Sequence, residues 1–142
     1  MKNVSEVKRS KLTTPLVQVS WGELIDKITI LEIKSVKLKN KEALANVRRE
    51  LVVLQSRERH SLTNPKILSL KQKLLMINEK LWLIEDKIRQ KEAAQEFDAE
   101  FIELARSVYR QNDQRSSIKR EINLALSSDL IEEKSYVNYH KG

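Results

Sequence analysis

Trp21, Leu24, Ile28, Leu31, Ser35 and Leu38 recur at alternating intervals of three and four residues, which is the spacing of one helical face. Ahead of them, Ser20-Trp21-Gly22-Glu23 has the S-x-x-E form of a capping box, with Ser20 as N-cap and Glu23 reaching back. A second stripe runs through Leu44, Val47, Leu51 and Leu54. It is out of phase with the first if the helix continues straight, so a turn is placed near Lys39-Asn40-Lys41, where Asn tolerates the left-handed conformation that ends helices. One kinked helix is the alternative. Asn64-Pro65 is a cleaner boundary, an N-cap followed by proline at the first helical position. Ile67, Leu70, Leu74, Ile77, Leu81, Ile84 and Ile88 then keep a heptad alternation, a seam of about 40 Å if the helix reaches Glu92. Leu68, Leu75 and Trp82 form another stripe about 100° away around the wheel. Such two-sided apolarity places this third helix centrally or across a dimer interface. Asp98 caps a fourth long helix reaching Leu126.

These patterns predict an all-α fold: an elongated four-helix bundle of antiparallel hairpins with coiled-coil character. Its helices span about 20–39, 41–61, 65–92 and 98–126, after a flexible basic segment 1–19 and before a C-terminal tail 127–142. Val17-Gln18-Val19 reads as extended, but one short run cannot make a sheet. With two Gly and two Pro in 142 residues, the chain lacks the turn punctuation that an all-β fold needs.

The fourth stripe carries the candidate chemistry. Phe101, Leu104 and Val108 begin it, Gln111 and Arg115 interrupt it, and Ile118 and Ile122 resume it. A charge at a seam position is costly unless paired or bound to a ligand. Asn112, Arg115, Ser116 and Lys119 share one helical face, and guanidinium and ammonium donors suit a phosphate or carboxylate. Asp113 projects elsewhere. Glu32 lies on the packed side of the first helix, and Arg48 borders the stripe of the second. Glu32, Arg48 and Arg115 are therefore expected to meet in one polar layer inside the bundle. Whether that layer sets helix register or holds a ligand stays open, since both demand the same residues. Trp21 and Trp82 read as core or interface anchors, and Lys71, Lys73, Lys80 and Lys87 as a solvated face. His60 is placed at the end of the second helix, where a cation suits the dipole.

Cysteine is absent, which excludes disulfides and thiolate metal sites. His60 and His140 have no ligand spacing, so no metal and no cofactor is expected. Met1–Ser20 lacks the apolar core of a signal peptide, and no apolar run is long enough to span a membrane; a cytoplasmic protein is expected. The net charge of +7 invites a nucleic-acid reading, but lysines alternate with acids along the helices. Nucleic-acid binding is not expected, although Lys8-Arg9-Ser10-Lys11 is a dense basic run. No Gly-rich phosphate loop, nucleophile elbow or redox motif occurs.

The segment from Ser20 to Lys34, SWGELIDKITILEIK, resembles the opening signature of a bacterial family of small proteins of unknown function. Val47-Arg48-Arg49-Glu50-Leu51, Asn112-Asp113-x-Arg115-x-x-x-Lys119-Arg120-Glu121-Ile122-Asn123 and Glu133-Lys134-Ser135-Tyr136 complete the resemblance, which covers most of the chain after residue 16. It implies that the fourth-helix motif and the Glu-Lys-Ser-Tyr tail belong to one design, and it brings no established activity. A weaker similarity is to all-helical chorismate mutases, through the rhythm of Ile77-Asn78-x-x-Leu81-Trp82. Here Asn78 replaces an expected Asp, Lys87 stands where an arginine is expected, and Asp113-Gln114-Arg115 lacks the Asp-x-x-Arg spacing.

The leading expectation is a binding or assembly module, a homodimer or a protein partner joining through helix 65–92. The rival is a protein that binds a small anionic ligand, or a metal-free enzyme, using the Arg/Lys/Asn cluster.

Overall fold

The computed structural model describes residues 12–140. It holds four α-helices, α1 (Trp21–Lys37), α2 (Lys41–Glu58), α3 (Pro65–Ala93) and α4 (Ala99–Ala125), with one 3-10 turn at Ser61–Thr63 before α3. No strand occurs among the described residues. The basic run Lys8–Lys11 lies outside them, and Val17-Gln18-Val19 carries no regular structure.

Each α-helix starts on a side-chain cap, which satisfies an otherwise orphaned backbone donor. Ser20 Oγ accepts from Glu23 N at 3.1 Å, Asn40 Oδ1 from Ala43 N at 2.9 Å, Asn64 Oδ1 from Lys66 N at 3.0 Å and Asp98 Oδ1 from Phe101 N at 2.9 Å. Two expectations change here. Asn40 is extended (φ −69°, ψ 126°), so it breaks the chain by starting α2, not by ending α1 in the left-handed region. Glu23 does not close the capping box, because its carboxylate is drawn to Lys119 across the fold. His60 lies just past α2, next to the 3-10 turn.

α3 and α4 pack most extensively on each other. Their link turns at Gln95, whose φ of 55° accompanies a hydrogen bond from Glu96 N to Lys91 O of 2.9 Å. Lys91 Nζ ties the helix ends together, 2.8 Å from Asp98 and 3.2 Å from both Glu96 and Glu100. The central helix is α1, not α3: each of the other three α-helices packs on it. Burial follows, with Ile25, Asp26, Ile28, Thr29, Leu31 and Ile33 all buried, as expected of a helix surrounded on several sides. Ile25, Ile67, Leu70, Leu74 and Ile122 form a cluster within the core, with Trp21, Leu62, Ile118 and Leu126 against it.

Burial then stops. No residue from Trp82 through the α3–α4 turn to Ile118 is buried. The distal hairpin is a two-helix arm whose seam residues Ile84, Ile88, Phe101, Leu104 and Val108 are only partly buried, while Leu83 and Ile102 are more than half exposed.

Candidate functional site

The polar interruption of α4 lands on α1. Asp26 is 1% exposed, and Arg115 grips it with both arms of its fork: Nε donates to Oδ1 at 2.9 Å and Nη2 to Oδ2 at 2.5 Å. Asn78 of α3 completes the arrangement. Its Nδ2 donates to Asp26 Oδ1 at 2.9 Å and to Thr29 Oγ1 at 2.8 Å. Thr29 in turn donates to the Asp26 carbonyl at 2.7 Å. Both hydrogens of the Asn78 amide are thus used, and the threonine hydroxyl both donates and accepts. A buried carboxylate of this kind is tolerable only with such pairing. The hydrogen bonds to Asp26 are the first cause that raises the Arg115 pKa, so the guanidinium stays charged.

One turn further along α4, Lys119 is buried and bridges Glu23 of α1 at 2.7 Å and Glu132 of the tail at 2.8 Å. Burial alone would lower the Lys119 pKa, but the two carboxylates outweigh it and the net shift is upward. The same lysine holds the Glu132 carboxyl below its ordinary value. Beside this ladder α1 and α4 nearly touch. Gly22 N donates to Asn123 Oδ1 at 2.6 Å, and a Cβ on Gly22 would sit 2.4 Å from the Lys119 carbonyl oxygen. Only glycine leaves room for that approach.

A separate polar cluster lies at the α2–α3 corner. Lys71 Nζ is 3.0 Å from Glu32 and 2.7 Å from Glu58. Glu58 is buried, and its Oε2 has no hydrogen-bond partner among the described residues. Burial pushes the Glu58 carboxyl above its ordinary pKa, against the opposing pull of Lys71.

The expected single layer of Glu32, Arg48 and Arg115 therefore does not form. Glu32 pairs with Lys71, Arg115 pairs with Asp26, and Arg48 is exposed on α2. Asn112 accepts weakly from Arg115 Nη1 at 3.4 Å, and Ser116 is half-buried nearby on α4. Lys73, Lys80 and Lys87 are exposed, whereas Lys71 leaves the solvated face assigned to it and enters the corner. Gln111, the other interrupting residue, has a buried Oε1 without a partner among the described residues. Asp26, Asn78 and Glu58 are not marked by the helical stripes, because each sits off the apolar stripe of its helix. The available signal was Asp26 and Thr29 lying between Ile25, Ile28 and Ile33 on a helix apolar on several sides.

Arg115 also reaches an open cleft of about 370 Å³ at the root of the arm, lined by Asn78, Trp82, Glu85, Asp86, Arg89 and Asn112. Among the described residues no group of side chains is placed to hold a metal ion, and no helix is long and apolar enough to cross a membrane. The model of a family of unknown function (DUF6165) matches residues 16–140, a span that takes in all four helices and the tail. No curated protein and no solved structure matches the chain.

Proposed function

We propose that this chain, which belongs to that family of unknown function, is an assembly module that joins a second copy of itself through the α3–α4 arm. The observation that carries the reading is the arm's unburied seam: Trp82, Ile84, Ile88, Leu104 and Val108 continue the core stripes of α3 and α4 but bury nothing fully. Two helices alone cannot seal such a seam, whereas two hairpins packed together make a four-helix bundle that does. A two-fold pairing needs a self-complementary surface. The arm offers both signs, with Glu85, Asp86, Glu100 and Glu103 beside Lys87, Arg89, Arg106 and Arg110. In this reading α3 is the coiled-coil-like helix of the interface, and the Asp26–Arg115 layer fixes the angle at which the arm leaves the body.

Light scattering on the purified chain tests this. The expected mass is twice the 16.6 kDa of one chain, and Ile88→Glu is expected to return it to one chain mass with helicity retained. A single-chain mass at high concentration overturns the proposal.

One observation favours a second reading, a small anion held at the root of the arm: Arg115 lines the cleft, and its Nη1 has only a 3.4 Å contact, to Asn112. Against it stand Asp26, which already neutralises the guanidinium, and the carboxylates Glu85 and Asp86 in the same cleft. A thermal-shift screen over phosphates and dicarboxylates, repeated on Asn112→Ala, tests it; stabilisation lost in the variant would support the anion site.

A further inference from the structure

The chain has three tyrosines, and all three line one cavity between α4 and the tail. Tyr109 comes from α4, Tyr136 and Tyr139 from the tail, and Asn112, Asp113 and Lys134 complete the polar part of a space of about 550 Å³, a volume within the range of small-molecule sites. The tail has no regular structure and is fastened to α4 at both ends of this cavity. Glu132 and Glu133 pair with Lys119 and Arg120, and the Tyr139 hydroxyl donates to Asp113. Tyr109 and Tyr139 meet edge to face, with centroids 5.0 Å apart and planes at 69°.

Large aromatic surface on a concave wall is unusual unless something covers it, and Tyr136 remains 73% exposed. The charges narrow what the cover is. Asp113 and Lys134 both border the space, and the Lys134 ammonium stands 5.9 Å from the centre of the Tyr136 ring. A cationic ligand meets that ammonium and an anionic one meets the carboxylate. An uncharged ring bearing hydroxyl groups meets neither penalty. Its C–H face suits a tyrosine ring, and its hydroxyls match an amide, a carboxylate, an ammonium and phenols, which together donate and accept.

We propose that the open cavity lined by Tyr109, Tyr136 and Tyr139 binds a neutral sugar ring. The cavity adjoins the arm, sharing Val108 with its seam, but its three tyrosines are not part of the seam through which assembly is proposed.

Saturation-transfer NMR on the full chain tests the site, with glucose, galactose, mannose and N-acetylglucosamine as probes, and with tetramethylammonium and inorganic phosphate as charged comparisons. Transfer to the ring protons of at least one sugar is expected. It should fall roughly fivefold or more in Tyr109→Ala and in Tyr136→Ala, the loss expected from one aromatic contact. Both residues lie outside the core cluster, so unchanged helicity is expected, and Tyr136→Ala, in the irregular tail, serves if Tyr109→Ala misfolds. Absence of transfer to every sugar overturns the proposal, as does transfer confined to tetramethylammonium or phosphate, or transfer that survives both substitutions.

Discussion

Leu74 and Ile88 occupy equivalent positions on α3, two heptads apart, yet Leu74 is fully buried among Ile25, Ile67, Leu70 and Ile122 while Ile88 is only partly buried. The residue types are nearly interchangeable, so the difference comes from the partners. At the base of the α3–α4 hairpin, α1 lies across both helices and brings Asp26 to Arg115 and Asn78. Along the arm no other described helix plays the part of α1. A heptad seam states that a helix needs a cover; whether the cover is supplied within one chain is decided by which other helix reaches it.

The largest test of this contrast is at Asp26. Asp26→Ala would leave Arg115 and Asn78 without their shared acceptor, and urea denaturation should show a loss of about 3–5 kcal/mol, the usual penalty for an orphaned partner of a buried pair. The double variant Asp26→Leu with Arg115→Met should recover part of that loss, because neither charge is then stranded. An Asp26→Ala protein as stable as the wild type would show that the base is not locked by this layer.

Leu74→Ala should cost about 2–5 kcal/mol, as cavity-forming core substitutions do. Ile88→Ala should cost less than about 1 kcal/mol in the single chain, since a partly buried residue loses less burial. If copies associate through the arm, the Ile88→Ala deficit should grow with protein concentration in thermal melts, and the Leu74→Ala deficit should not.

Gly22→Ala sharpens the account of the base. Its Cβ would meet backbone of α4 at 2.4 Å, so α1 must shift, at a cost of about 1–3 kcal/mol for overpacking. Chemical denaturation measures the cost, and the same substitution should leave hydrogen exchange in the arm unchanged.

The smallest effect concerns pH and the corner of α2 and α3. Glu58 has a raised pKa in the folded chain, so between its unfolded and folded values the native state binds more protons than the unfolded one. Its contribution to stability therefore falls as pH rises through that window and is largest below it. Glu132 has the opposite sign, because its pKa is lowered by Lys119; its contribution is present above the ordinary carboxyl range and is lost as pH falls. Glu58→Gln should remove the first of these slopes from a pH series of thermal melts. An unchanged slope would remove Glu58 as its source.

Much of this fold is legible in the chain. The N-caps Ser20, Asn64 and Asp98, the seam of α3 and the oddity of Arg115 all follow from spacing, because helix period and capping are local rules. The partners of Arg115 are not legible in the same way. Asp26 sits one residue past Ile25 and three before Thr29, and only the arrival of α3 and α4 on that side of α1 makes it an interior residue. Glu32, similarly placed near packed residues, went to Lys71 because the α2–α3 corner brought Glu58 and Lys71 to it. Side-chain pairing between helices depends on crossing geometry, and no local period encodes that.

The bonds that close the base join distant parts of the chain: Asp26 and Arg115 are 89 residues apart, Gly22 and Asn123 are 101 apart. During synthesis α1 emerges before α4, and its buried carboxylate has no counterion until α4 has been made. The α3–α4 hairpin needs only short-range closure, and such local contacts form early while distant ones wait on loop closure. Pulse-labelled exchange on refolding should thus find α3 and α4 protected before α1. Of the four helices, the earliest made would be the last to find its place.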